Sequence, residues 1–129
     1  MRGQTRLYNI GKNCCLAWAY IYCSGRKFDI LNYTKLVLDA QKRGFIDLEC
    51  NVLDGTKLMR WLTGDNTIRV THKRIESIKN IKEPTPVKYY NLGYEHFVVI
   101  KNGEIVFNEW DNSISIGGRP ISARIISRG

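Results

Sequence analysis

The chain has 129 residues, with 20 Lys and Arg against 12 Asp and Glu for a net charge of +8. That length suffices for one domain around a single core, and 43% hydrophobic with 25% charged content belongs to an ordinary globular chain rather than a disordered, collagenous or membrane-embedded one. Neither a secretory signal nor a bilayer-spanning stretch of about 20 apolar residues is read, which predicts a cytoplasmic protein without membrane contact.

The first predicted element is a helix from Asn13 to about Cys23, closed by Ser24-Gly25 with Gly25 suited to a left-handed cap. It is apolar all round, Cys14-Cys15-Leu16-Ala17-Trp18-Ala19-Tyr20-Ile21-Tyr22-Cys23, so it belongs inside the fold. A second helix is expected over Asn32 to Arg43, ended by Gly44, and a third from Asp54 through Leu58, Met59, Trp61 and Leu62 to Gly64-Asp65-Asn66. Between them, Phe45-Ile46-Asp47 reads as a connector and Cys50-Asn51-Val52 as a short extended piece.

Thr67 to Thr71 alternates like a strand, and Ile75, Ile78 and Ile81 fall at the spacing of a short helix that Pro84 and Pro86 terminate. The last third reads as β: Tyr94 to Ile100, a turn at Asn102-Gly103, a return over Glu104 to Trp110, then Ser113 to Ile116 and Ile121 to Ile126. Helices first and antiparallel strands after give an α+β class.

Four cysteines occur: Cys14, Cys15, Cys23 and Cys50. Their spacing is not that of a metal site, and no metal or organic cofactor is implied. Adjacent cysteines do not readily bridge each other, and a disulfide scaffold is not expected in a cytoplasmic chain, so Cys23 and Cys50 read as small core residues. Cys14 and Cys15 differ, because a thiol in the first turn of a helix sits where the dipole and unpaired N–H groups favour a thiolate.

A thiolate nucleophile needs an imidazole to carry the proton and an acid or amide to orient that imidazole. His96 stands at the start of the Phe97-Val98-Val99-Ile100 strand. A two-residue hairpin at Asn102-Gly103 pairs Ile100 with Ile105 and Val98 with Phe107, so His96 faces Glu109, with Asp111 diagonal on the same face and Asn108 on the other. The bland alternative makes His96 a strand-end residue and Asp111-Asn112-Ser113 a turn. His72, in Thr71-His72-Lys73-Arg74, has no acid at strand or helix spacing and reads as a surface residue.

Cysteine at a helix start, then His-Phe-Val-Val-Ile, then Asp after Trp resembles the papain-like superfamily, in particular its NlpC-type and bacteriocin-processing branches. The segment Arg43-Gly44-Phe45-Ile46-Asp47-Leu48-Glu49-Cys50-Asn51-Val52-Leu53-Asp54 is similar to small papain-like proteins of bacteria and their prophages. The resemblance covers most of the chain in element order. It implies a single domain of N-terminal helices packed on a C-terminal antiparallel sheet, and a thiol hydrolase of the cysteine peptidase or amidase kind. Its catalytic residues would be Cys15 or Cys14, His96, and Asp111 or Glu109. Asn13 as helix cap favours Cys14, whereas similarity of Cys15-Leu16-Ala17-Trp18-Ala19 to the papain pattern, with a small residue four after the nucleophile, favours Cys15. The family's oxyanion Gln, six residues before the nucleophile, corresponds to Asn9, a departure in residue type.

The substrate class implied is a peptide, isopeptide or peptidoglycan-like amide. A second reading keeps the fold without the catalysis, as a bacterial or prophage accessory protein that binds a protein partner. A third is a small basic nucleic-acid-binding module, although Lys and Arg are scattered and no nucleic-acid motif is seen, so nucleic acid is not the expected partner.

Overall fold

The computed structural model describes residues 14–108 and 118–129. It has an α+β composition, with three helices followed by a five-stranded antiparallel sheet among the described residues. The chain divides into two compact units, Met1–Asn66 and Thr67–Gly129.

The first unit is helical. Helix α1 (Cys15–Cys23) starts one residue later than a cap at Asn13 would place it: Cys14 is its N-cap and Cys15 its first helical residue. Ala17, Trp18, Ala19, Tyr20 and Ile21 are each at most 2% exposed, as its all-round apolarity predicts. Gly25 follows with φ +98°, the left-handed exit expected of it.

Helix α2 (Ile30–Lys42) begins two residues before its predicted start. The Asp29 carboxylate accepts from the N–H groups of Leu31 and Asn32, a cap that outweighs the later start suggested by Asn32. Its inner face is Tyr33, Val37 and Ala40, and Trp18, Phe28 and Tyr33 pack as an aromatic cluster with centroids 5.1–6.0 Å apart. Helix α3 (Gly55–Thr63) is capped by Asp54 through the Lys57 N–H and exits through Gly64 in the left-handed region.

The second unit holds β1 (Arg69–Arg74), β2 (Thr85–Asn91), β3 (Tyr94–Lys101), β4 (Glu104–Phe107) and β5 (Arg119–Ser127), in the order β1-β5-β2-β3-β4. One face is a core of Val87, Tyr89, Val98, Ile100 and Ala123, against which Ile75, Ile78, Ile81 and Ile125 pack. The Asn102-Gly103 turn forms as predicted, with φ of +53° and +73°, the pair of left-handed residues a tight hairpin demands.

One expectation fails here, and one strand went unread. The segment carrying Ile75, Ile78 and Ile81 is not a helix. Its backbone groups go elsewhere: Ile75 N–H to Ile121, and the carbonyls of Ile81 and Lys82 to the hairpin-tip N–H groups of Gly103 and Asn102. The isoleucines reach the core from an irregular chain, so spacing alone misread the period. Strand β2 was hidden by its own Pro86, which ordinarily argues against an inner strand. Pro86 pairs with Val99 of β3, but pairing with β5 starts only at Val87, so the missing N–H costs no ladder bond on that side.

Among the described residues, no helix is long and apolar enough to cross a membrane.

Candidate catalytic residues

Cysteine 15 opens α1 without a side-chain cap and without an acidic residue in the first turn. The first intrahelical bond runs from Trp18 N–H to the Cys14 carbonyl at 2.9 Å, so the N–H groups of residues 15–17 precede the helical ladder. An anion or a thiolate is favoured at such an end. Cys15 is half-buried and its thiol is outside any disulfide, while Ala19, one turn along on its helix face, is completely buried.

Cys14 is different. It is completely buried and joined in a disulfide to Cys50, with Cα atoms 5.1 Å apart. This corrects two expectations: the four cysteines do not all stay as thiols, and Cys14 in this state is not available as the alternative nucleophile. The bridge was not legible because its two ends lie 36 residues apart and meet only through the fold of the first unit.

The segment 43–54 builds the other end of that bridge. Asp47 accepts from the N–H groups of Glu49 and Asn51 and from the Asn51 side-chain amide, folding the loop back on itself. The Asn51 side chain, with the backbone bonds behind it, holds the Asp47 carboxyl below its usual range. Ile46 and Val52 close the loop by an antiparallel bridge, and Cys50 sits at its tip with φ +68°. Cys23, buried at the end of α1, has its thiol pushed far up by desolvation and is inert at neutral pH.

In the second unit, His96 lies on β3 opposite Tyr89 of β2 and is 6% exposed. Its Nε2 is 2.9 Å from Oδ1 of Asn108. A carboxamide oxygen only accepts, so this bond assigns the proton to Nε2 and leaves the lone pair on Nδ1. Burial pulls the imidazole below its ordinary range, with the Asn108 bond opposing, so the ring is neutral at pH 7.

That partner contradicts the predicted hairpin register. Lys101 pairs with Glu104 and Ile100 with Ile105 as expected, but Val99 then pairs with Phe107. Val106 is the extra residue of a β-bulge, and one extra residue exchanges the two faces of everything beyond it. Carried one residue further, the register sets Asn108 across from Val98, on the face that Val98 shares with His96. The expectation that Asn108 points to the other face is therefore replaced. The signal in the sequence was the unbroken apolar run Ile105-Val106-Phe107, which does not alternate as a regular edge strand does.

Asn9, Glu109 and Asp111 lie outside the described residues. His72 is exposed on β1, opposite Arg124, as a surface residue. Comparison with known protein families, with curated proteins and with solved structures finds no match for this chain.

Proposed function

We propose that this chain is a papain-like thiol hydrolase that cleaves an amide bond, with Cys15 as nucleophile, His96 as general base and acid, and Asn108 as the residue that orients His96. The observation that carries the reading is the Nε2–Oδ1 bond between His96 and Asn108: a buried, neutral imidazole locked by an amide with Nδ1 left for a proton. Cys-His-Asn is the amide-oriented variant of the nucleophile-base-orienter arrangement. Asn108 takes the part that sequence reading assigns to Asp111, with Glu109 in reserve.

The chemistry follows from these groups. His96 Nδ1 accepts the Cys15 thiol proton, and the thiolate adds to the amide carbonyl. The oxyanion meets backbone N–H at the start of α1, where Asn9 is the side-chain candidate from sequence. Collapse breaks the C–N bond, the imidazolium gives its proton to the leaving amine, and a thioester remains on Cys15. Water then adds to the thioester with His96 as base, the C–S bond breaks, and a carboxylic acid leaves as the thiol is restored. The substrate class is a peptide, isopeptide or peptidoglycan-like amide.

The test is alkylation by iodoacetamide without reductant, read by peptide mass across pH 5 to 9. Cys23 is buried and Cys14 and Cys50 are bridged, so modification reports on Cys15. Cys15 is expected to react below neutral pH faster than a free thiol, whose pKa is about 8.5, and to lose that advantage in His96→Ala. A Cys15 that titrates like a free thiol in both proteins sinks the catalytic reading and leaves the partner-binding scaffold.

A further inference from the structure

A few of the lysines and arginines that look scattered along the chain meet on one face of the sheet. Directly paired residues of antiparallel strands point to the same side. Arg74 of β1 pairs with Ser122 of β5, Ser122 with Lys88 of β2, and Lys88 with Phe97 of β3, which sets these four side chains in one row across four strands. Beside that row His72 pairs with Arg124, and Tyr90 pairs with both Arg119 and Glu95. This face is opposite to the one that holds His96 and the isoleucine-packed core.

Phe97 is the centre of the patch. The Arg124 guanidinium carbon lies 5.1 Å and the Lys88 ammonium 5.5 Å from its ring centroid. Lys88 also meets Glu95 at 3.1 Å, but among the described residues Arg74, Arg119 and Arg124 meet no carboxylate. Among the described residues, the hydrogen bond that Arg124 donates goes to the Ser122 hydroxyl, at 3.4 Å. His72, Arg74, Tyr90 and Arg119 are exposed, and Lys88, Phe97 and Arg124 half-buried. With Lys101 and Glu104, which pair at the hairpin end of the same face, five permanent cations thus share it with two carboxylates and the rings of Tyr90, Phe97 and Phe107.

We propose that this face binds single-stranded nucleic acid, with Arg74, Lys88, Arg119 and Arg124 on the phosphates and the Phe97–Arg124 platform stacking a base. The charge complementarity supplies the affinity, and an aromatic ring flanked by cations on an open antiparallel sheet supplies a stacking surface that a flat acidic protein does not need. RNA and DNA share this chemistry and are distinguished by paired oligonucleotides of one sequence.

The test is fluorescence anisotropy of labelled 12-nucleotide single-stranded RNA and DNA, and of the matching duplex, between 25 and 200 mM salt, with the full chain. Binding is expected to favour the single strands over the duplex and to weaken with salt. Lys88→Gln with Arg124→Gln is expected to reduce the salt slope by about 1.4, from 0.7 for each phosphate contact, and to weaken binding at least about ten-fold at low salt. Lys35→Gln with Lys57→Gln removes the same charge from exposed positions of the first unit and is expected to change affinity less than about two-fold. Phe97→Leu, which keeps an apolar side chain, is expected to weaken single-strand binding about five-fold or more. If a sheet variant loses its circular dichroism spectrum, exposed Arg74→Gln with Arg119→Gln replaces it. Equal losses from both charge pairs, or a silent Phe97→Leu with duplex bound as well as single strand, overturn the proposal. Polyglutamate competing as well as the oligonucleotide, or no binding at 25 mM salt, overturns it too. None of these readouts involves Cys15 or His96.

Discussion

His96 and Asn108 are joined Nε2 to Oδ1 at 2.9 Å across a hairpin that would hold them apart were it regular, because the bulge at Val106 turns Asn108 onto the histidine's face. The bond selects one imidazole tautomer, and the consequences can be measured without knowing a substrate.

Asn108→Ala removes the acceptor and frees the ring to exchange tautomers. Long-range proton–nitrogen correlation spectra are expected to show His96 as the Nε2–H form in the wild type and as a mixture in the variant. The loss of this partly buried hydrogen bond is expected to lower stability by about 1 kcal/mol in urea unfolding. An unchanged tautomer in Asn108→Ala would mean that another group orients the ring.

Burial lowers the His96 pKa below 6.5, so the unfolded chain takes up its proton at higher pH than the folded one. The contribution of the neutral ring to stability is complete above about pH 6.5 and is lost as pH falls from there through the folded-state value. Melting temperature is therefore expected to fall between pH 7 and pH 5, and to fall less steeply in His96→Gln. Parallel melting curves for the two proteins would show that His96 does not carry this linkage.

Deleting Val106 removes the bulge but leaves Phe107 across from Val99 and Asn108 across from Val98, so Asn108 stays on the histidine's face. Far-ultraviolet circular dichroism is expected to retain the sheet, and His96 to keep its Nε2–H tautomer preference. Inserting one alanine between Phe107 and Asn108 carries Asn108 to the opposite face and is expected to abolish that preference. Loss of the tautomer in the deletion, or its retention in the insertion, would show that the strand register does not set the pairing.

The Cys14–Cys50 bridge closes a loop with a sequence separation of 36 residues, which the chain-entropy relation values at about 4 kcal/mol. Cys50→Ser is expected to lower stability by an amount of that order. A tryptic digest without reductant is expected to join peptide 13–26 to peptide 44–57 through Cys14 rather than Cys15. A bridge through Cys15 would remove the proposed nucleophile.

What local rules govern was legible in the chain. The buried α1, the caps at Asp54 and Gly64, the Asn102-Gly103 turn and the strands around His96 follow from side-chain period, short-range hydrogen bonding and left-handed residues, all of which act within a few positions. The candidate Cys15 and His96 were legible for the same reason: a helix start and a strand start are local features.

Tertiary structure decided the rest. The partner of His96 depended on a single inserted residue, because strand faces alternate with a period of two and one extra residue inverts them. The partner of Cys14 and the gathering of Arg74, Lys88, Phe97 and Arg124 on one face depended on which distant segments lie side by side. No periodicity within a segment encodes that choice. It is set by the joint burial of apolar faces from the whole unit, and so it appears only once the chain has folded.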